Sequence, residues 1–344
     1  MRAILVDAPR GVPLLTTVAD PEPPPHGAVV AVRATGVCRS DWHAWVGHDP
    51  TIEWPHVPGH EFAGEVVAVG REVRGDWLGT RVTAPFCCGC GACATCHQGH
   101  VHLCEREFQP GFDGWGSFAE LVAVPWADVN LARLPAAMGF DEAASLGCRF
   151  MTAFHGLVER AGLRAGESVA VFGCGGVGLA SVAIAVAAGA RVLAVDVVPE
   201  KLSLARELGA DVAIDARDTD PVAAVRDAAG GGADVAVDAL GSRATAAQGI
   251  RSLRPRGRHV QLGLLLGDDA EPPLPLQQVV RRELTVVGGH GMPATAYPRL
   301  FRFVEAGGVP LARLIGARRP LAEAGDALAA MERFAPVGVT LLVP

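Results

Sequence analysis

Cys90, Cys93, Cys96 and Cys104 follow one another with two, two and seven residues between them. Thiolates this close on one loop can surround a tetrahedral zinc without a preformed core, and four sulfurs leave no position for water or substrate, so such a zinc is structural. Cys87 and Cys88 bring the segment to six cysteines. The spacing selects the later four and leaves those two as bystanders, with His97, His100 and His102 read as a solvated loop. A second pattern, Gly173-Cys174-Gly175-Gly176-Val177-Gly178, fits G-x-G-x-x-G after an apolar strand and ahead of a helix. There Gly173 permits a tight turn, Gly175 lets backbone approach a pyrophosphate, and Gly178 lets helix and strand pack closely. The helix N-terminus offers free N–H groups to the anion. Asp196 stands 18 residues beyond Gly178, at the end of the next strand. A carboxylate there accepts hydrogen bonds from ribose hydroxyls and repels a 2′-phosphate, so NAD is expected over NADP. Lys201 either supports the ribose or is a solvated helix lysine.

Three cysteines remain. Cys174 fills a free position of the glycine motif. Cys38 lies in Gly36-Val37-Cys38-Arg39-Ser40-Asp41-Trp42-His43, His60 in Pro58-Gly59-His60-Glu61, and Cys148 in Leu146-Gly147-Cys148-Arg149. Gly-His-Glu-x-Ala-Gly (Gly59 to Gly64), Cys-x-Ser-Asp-x-His, the cysteine lobe and the glycine motif together resemble the zinc-containing medium-chain dehydrogenase/reductase (alcohol dehydrogenase) family, over nearly the whole chain.

That resemblance implies that Cys38, His60 and Cys148 hold a catalytic zinc, in addition to the structural one. Two thiolates and one imidazole leave a fourth position open. It places Glu61 behind this zinc, sometimes approaching it, and gives Asp41 the task of orienting the ligand histidine. Ser40 and His43 resemble the family's relay of hydroxyl, ribose and histidine that carries the substrate proton outwards; a histidine with a reference pKa of about 6.5 suits that base. Arg39 resembles the residue that pairs with the pyrophosphate, Thr152 one beside the nicotinamide, and Val177 would pack against the ring. The implied chemistry is oxidation of an alcohol whose hydroxyl zinc acidifies, much as it lowers bound water from about 15.7 to about 7, with hydride passing to NAD. One position departs from the pattern: many relatives carry arginine after a glycine near the C-terminus, whereas Gly338 is followed here by Val339.

The elements that must position these residues fall into two classes. Ala28–Arg33 and Glu65–Val69 read as strands of a β-rich first third, and a helix starts near Asp141 with acids in its first turn. From Ser168 strands and helices alternate: strands at Ser168–Phe172, Arg191–Val195, Val212–Ile214, Asp234–Asp238 and Arg258–Gly263, helices at Val177–Ala188, Pro199–Leu208, Pro221–Ala229 and Thr245–Leu253. This succession implies an α/β, Rossmann doubly wound parallel sheet; the resemblance adds a mainly β, GroES-like catalytic domain with a zinc lobe. The expected boundaries are 1–147 for the catalytic domain (lobe 87–105), 148–287 for the dinucleotide-binding domain, and 288–344 returning to the first, with Val337–Val343 as a strand.

At 344 residues the chain suits two domains. A net charge of −7, a pI near 5.9 and scattered Lys and Arg argue against nucleic acid or anionic membrane as partners. Between Glu167 and Arg191 lie 23 uncharged residues, long enough to span a bilayer, but the glycines there favour a strand, a turn and a buried helix. With no secretory signal at the N-terminus, a cytoplasmic protein is expected. Trp42, Trp45, Trp54, Phe86 and Trp115 cluster around the catalytic segments, and several could line an apolar cleft. The function expected is thus NAD-linked oxidation of an apolar primary, aryl or secondary alcohol to an aldehyde or ketone. The alternative is a related zinc enzyme for polyols, thiol-aldehyde adducts, imines or enones; a non-enzymatic NAD-binding protein would have no use for an open zinc. Family members assemble through the cofactor domain, so Leu284–Gly289 is expected as the edge strand of a homotetramer or homodimer.

Overall fold

The uncharged stretch after Glu167 breaks where its glycines fall. Ser168–Phe172 is a strand, Gly173 turns the chain at φ +91°, and a helix runs over Gly176–Ala187. Among the described residues no helix is long and apolar enough to cross a membrane. The turn is tight because Gly178 sits against it: a Cβ on Gly178 would overlap the Gly173 carbonyl oxygen. The computed structural model describes residues 1–333 and 336–344. The chain forms two units, one of Met1–Met151, Gly291–Arg302 and Ile315–Pro344, the other of Thr152–His290 and Phe303–Leu314.

In the second unit six parallel strands form one sheet. Numbered in chain order they are Ser168–Phe172, Arg191–Asp196, Val212–Asp215, Ala233–Asp238, Leu253–Gln261 and Thr285–Gly288, lying side by side as 3-2-1-4-5-6, the doubly wound order of dinucleotide-binding sheets. Strand Ser168–Phe172 is buried over four of its five residues, as a central strand covered on both faces requires. Helices Pro199–Glu207 and Pro221–Ala228 begin with proline, whose missing N–H costs nothing in a first turn. Ser242 caps Arg243–Ser252 by accepting from the Thr245 amide at 3.1 Å. The fifth strand runs longer than its apolar residues suggest, through Arg254, Arg256 and Arg258. Thr285–Gly288 is the sheet's edge, with Val286 exposed.

The first unit is mainly β. Its central strand, Ala28–Val37, pairs antiparallel with Glu61–Val69, Leu121–Val124 and Val339–Val343. Both long strands exceed their expected lengths, because the ladder continues through Thr35↔Phe62 and Gly36↔Glu61. That extension matters: it brings Cys38, just past one strand, and His60, just before the other, to the same end of the sheet. Val339 is buried in a cluster with Ala34, Ala63, Ala143, Ala144 and Leu341, an apolar place where a guanidinium would lose its hydration. The helix expected near Asp141 is Phe140–Ser145, and it continues as a π-helical turn over Leu146–Phe150 that holds Cys148.

Gly178→Ala should lower stability by about 1–3 kcal/mol, the usual cost of forced overpacking, read as a lower midpoint of thermal unfolding. An unchanged midpoint would refute the close contact with Gly173.

Candidate metal and dinucleotide sites

Cys38 caps the helix Arg39–Trp45, and its amide donates to Asp41 Oδ2 at 2.7 Å. The other oxygen of Asp41 accepts from His60 Nδ1 at 2.8 Å, with both side chains fully buried. This commits one ring nitrogen and frees the other: His60 Nε2 is buried with no hydrogen-bond partner among the described residues. The donor atoms of Cys38, His60, Glu61 and Cys148 all lie within 4.8 Å of one another. An uncommitted imidazole nitrogen beside two thiols is a donor set that suits zinc and leaves a position open. A hydrogen bond from Cys148, against the effect of burial, holds the Cys38 thiol well below its usual range. Burial opposes protonation of His60, but the Asp41 charge, its hydrogen bond and the neighbouring Cys38 together outweigh it, and the net shift is upward. Cys148 sits in the π-helical turn, a local widening common at functional sites. Phe86 and Phe112 set their rings edge-on to His60, with centroids at 6.1 and 5.5 Å.

The lobe is built more locally. Cys93 and Cys104 sulfurs are 3.8 Å apart, and those of Cys104 and Cys90 3.5 Å. Four sulfurs about 2.3 Å from one zinc stand about 3.8 Å apart at the corners of a tetrahedron, so Cys90, Cys93, Cys96 and Cys104 fit that metal. Amides and a guanidinium already point at the sulfurs: Ala92 N donates to Cys90 at 3.4 Å, Arg106 Nη2 to Cys90 at 3.1 Å, and Arg106 N to Cys104 at 3.3 Å. Burial raises the Cys90 pKa, but the Ala92 amide, the Cys104 thiol, the Cys93 amide and the Arg106 guanidinium together bring it down to about 6. Cys87 and Cys88 are buried thiols outside the cluster, and burial pushes Cys87 up to about 12.

Ser40 Oγ stands 3.8 Å from Cys38 Sγ. His43 pairs through Nδ1 with His48 Nδ1 at 2.8 Å, a partner that Gly47 (φ +83°) turns back into reach. Burial, then the Arg39 and His48 charges, lower the His43 pKa to about 4. Arg39 stacks its guanidinium 3.8 Å over the Trp42 ring and donates to the Met331 carbonyl. The aromatic cluster divides. Trp42 and Trp45 join the core formed with Leu321, Leu328 and Met331, with Trp45 Nε1 donating to Gly11 O at 2.8 Å. Trp54 packs on His56, and Trp115 is exposed. Only Phe86 of those five is shown against His60; Phe112 stands in a loop with no periodicity to announce it.

In the second unit, Gly173, Gly175, Gly176, Val177 and Gly178 form the turn and first helical residues after the central strand. A Cβ on Gly175 would meet nothing within 4 Å, so its backbone is open to a ligand. Asp196 ties the turn to its own strand, accepting from Cys174 N at 2.6 Å and from Val197 N and Val198 N at 2.7 and 2.9 Å. Lys201 is buried in the first turn of its helix rather than solvated, and Thr152 is buried at the start of the unit.

With a folded pKa of about 4 against an unfolded value of about 6.5, His43 takes up a proton more readily unfolded than folded. The folded chain therefore loses stability as pH falls from 6.5 towards 4. His43→Gln should flatten that slope in urea midpoints measured across the window; an unaltered slope would contradict the depressed pKa.

Two family models match the sequence, "Alcohol dehydrogenase GroES-like domain" over residues 24–136 and "Zinc-binding dehydrogenase" over 176–306. The chain is 37% identical to an alcohol dehydrogenase of Rhizobium meliloti, covering 81% of each chain. It is 39% identical to an L-threonine 3-dehydrogenase of Symbiobacterium thermophilum, over 70% of this chain and 68% of that one. Its structure resembles that of a zinc-binding dehydrogenase from Sinorhizobium meliloti bound to NADP, with TM-score 0.87 and 30% identity over 100% of this chain and 99% of the other. Identity at this level, over both units and with both cysteine sets in place, makes the chain a zinc-dependent dehydrogenase belonging to the zinc-containing medium-chain dehydrogenase/reductase family.

Proposed function

We propose that the chain oxidises an apolar primary, aryl or secondary alcohol to an aldehyde or ketone with NAD. The observation that carries this reading is the uncommitted Nε2 of His60, fixed by Asp41 beside the thiols of Cys38 and Cys148. A zinc held by these three residues supplies a Lewis acid that polarises a hydroxyl oxygen and lowers its pKa. The chain's own residues do the rest. Asp41 keeps the imidazole oriented. Phe86 and Phe112 give the surroundings of His60 an apolar character that favours a hydrocarbon substituent and excludes water. Ser40, 3.8 Å from Cys38, is placed to accept the hydroxyl proton, and His43 passes it outwards as an unprotonated imidazole, a weaker base than the free side chain because its pKa is lowered to about 4. NAD held by the glycine turn would supply the hydride acceptor that takes the alcohol to a carbonyl.

NAD is preferred over NADP on the strength of Asp196, a carboxylate at the end of the second strand that repels a 2′-phosphate. The glycine turn Gly173–Gly178 and the helix start hold the pyrophosphate, with Arg39, Lys201, Thr152 and Val177 as further cofactor contacts. Subunits associate through the edge strand Thr285–Gly288.

Absorbance of the reduced nicotinamide should rise with NAD and an apolar alcohol, far less with NADP or polyols, and not at all after a chelator strips zinc. Turnover of polyols alone would replace the substrate assignment. Elemental analysis should find two zincs per chain, falling to one in His60→Ala with the lobe metal kept; two zincs in that variant would remove His60 from the site. His43→Gln should lower kcat by about 10²-fold, the lower end of a proton-transfer contribution.

A further inference from the structure

Arg149 follows Cys148 and is buried, 5% exposed. Its Nε and its backbone N–H both donate to Glu61 Oε1, at 2.9 and 3.1 Å, while Nη2 donates to Glu61 Oε2 and Nη1 to the Val37 carbonyl at 3.1 Å. Val37 precedes Cys38 and Glu61 follows His60. One side chain therefore joins the neighbours of all three candidate ligands, which are spread over 110 residues of sequence (148 − 38). The surroundings leave room for this pair and little else. A Cβ on Gly36 would overlap the Glu61 carboxylate and come 2.9 Å from Arg149 Nη2, and one on Gly147 would come 2.9 Å from Glu61 Cα.

A buried ion pair gains little net stability, because desolvation offsets the attraction; hydrogen-bonded partners behind metal ligands, by contrast, govern metal affinity. Glu61 itself has a carboxylate oxygen within 4.8 Å of the Cys38, His60 and Cys148 donor atoms, close enough to compete for a metal position if released.

We propose that Arg149 is a positioning residue that ties the three ligand-bearing segments into one preset metal site and, by its two-pronged hold on Glu61, keeps that carboxylate out of the open position. The inference rests on the reading of Cys38, His60 and Cys148 as zinc ligands. Two full-length variants separate it from simple charge neutralisation. Arg149→Lys keeps the charge but lacks the planar fork. The double variant Arg149→Met/Glu61→Gln removes both charges at similar volume, so that it folds even if the single change does not.

The measurements are the rate at which a chelator withdraws each metal and the visible spectrum of the protein with cobalt(II) in the site, with the four-cysteine lobe as internal control. The expected result is that both variants keep the lobe metal and release the other about 10- to 100-fold faster than wild type. The cobalt bands of Arg149→Lys should also weaken as Glu61 adds a ligand. Wild-type release and spectrum in Arg149→Lys would overturn the proposal, leaving Arg149 as a counter-charge only. Wild-type release in the double variant would overturn it as well. A wild-type protein that binds metal only in the lobe would overturn the zinc-site reading and this inference with it.

Discussion

The Asp41 carboxylate is fully buried and accepts from two directions at once: the backbone amide of Cys38 at 2.7 Å and the ring of His60 at 2.8 Å. A hydrogen bond to a charged group is worth about 1.5–3 kcal/mol, and leaving a buried carboxylate unpartnered costs more. Asp41 can satisfy itself only if the helix Arg39–Trp45 starts at Cys38 and if His60 presents Nδ1 inwards. Both conditions also aim the remaining donors at one point. The position of the candidate metal site is in this sense a by-product of solvating one buried charge with protein groups.

That arrangement in turn depends on register. The antiparallel pairing Gly36↔Glu61 brings the two strand ends together, and a slip of one residue would send His60 and Glu61 to opposite faces from those they occupy. Gly36 and Gly147 carry no side chain where the Glu61 and Arg149 groups lie. The third candidate donor arrives differently, from the π-helical turn Leu146–Phe150, so the approach to a strand, a helix start and a widened helix each contribute one donor. Such a site is fixed by long-range packing. The cysteine lobe is organised more locally, by amides and the Arg106 guanidinium of its own segment, with Trp126, Val129 and Asn130 supporting it from outside.

The dinucleotide-binding unit shows a similar economy. Gly178 lets the helix Gly176–Ala187 start against the Gly173 turn, and Asp196 secures that turn by accepting from the Cys174 amide. The residue read as a ribose partner thus also acts as a structural strut, which limits how far its carboxylate can move to meet a ligand.

Much of this was legible in the sequence where the signal is local. The spacing of Cys90 to Cys104, the glycine motif, the carboxylate 18 residues beyond it and the alternating elements after Ser168 depend on short-range chain geometry, and the structure places them accordingly. Cys38, His60 and Cys148 became candidates through family resemblance, since no periodicity links residues so far apart. Phe112, His48 and Arg149 gave no signal: a loop phenylalanine, a histidine beyond a helix end and an arginine after a cysteine read alike whether they are buried at a site or bathed in water. Lys201 illustrates the same ambiguity, and packing resolved it towards burial. Residue order settles which donor atoms exist and which short segments can turn, coil or extend. Tertiary structure alone decided which distant donors meet, because strand register and the pairing of buried charges act between residues that the chain separates by as many as 110 positions (148 − 38).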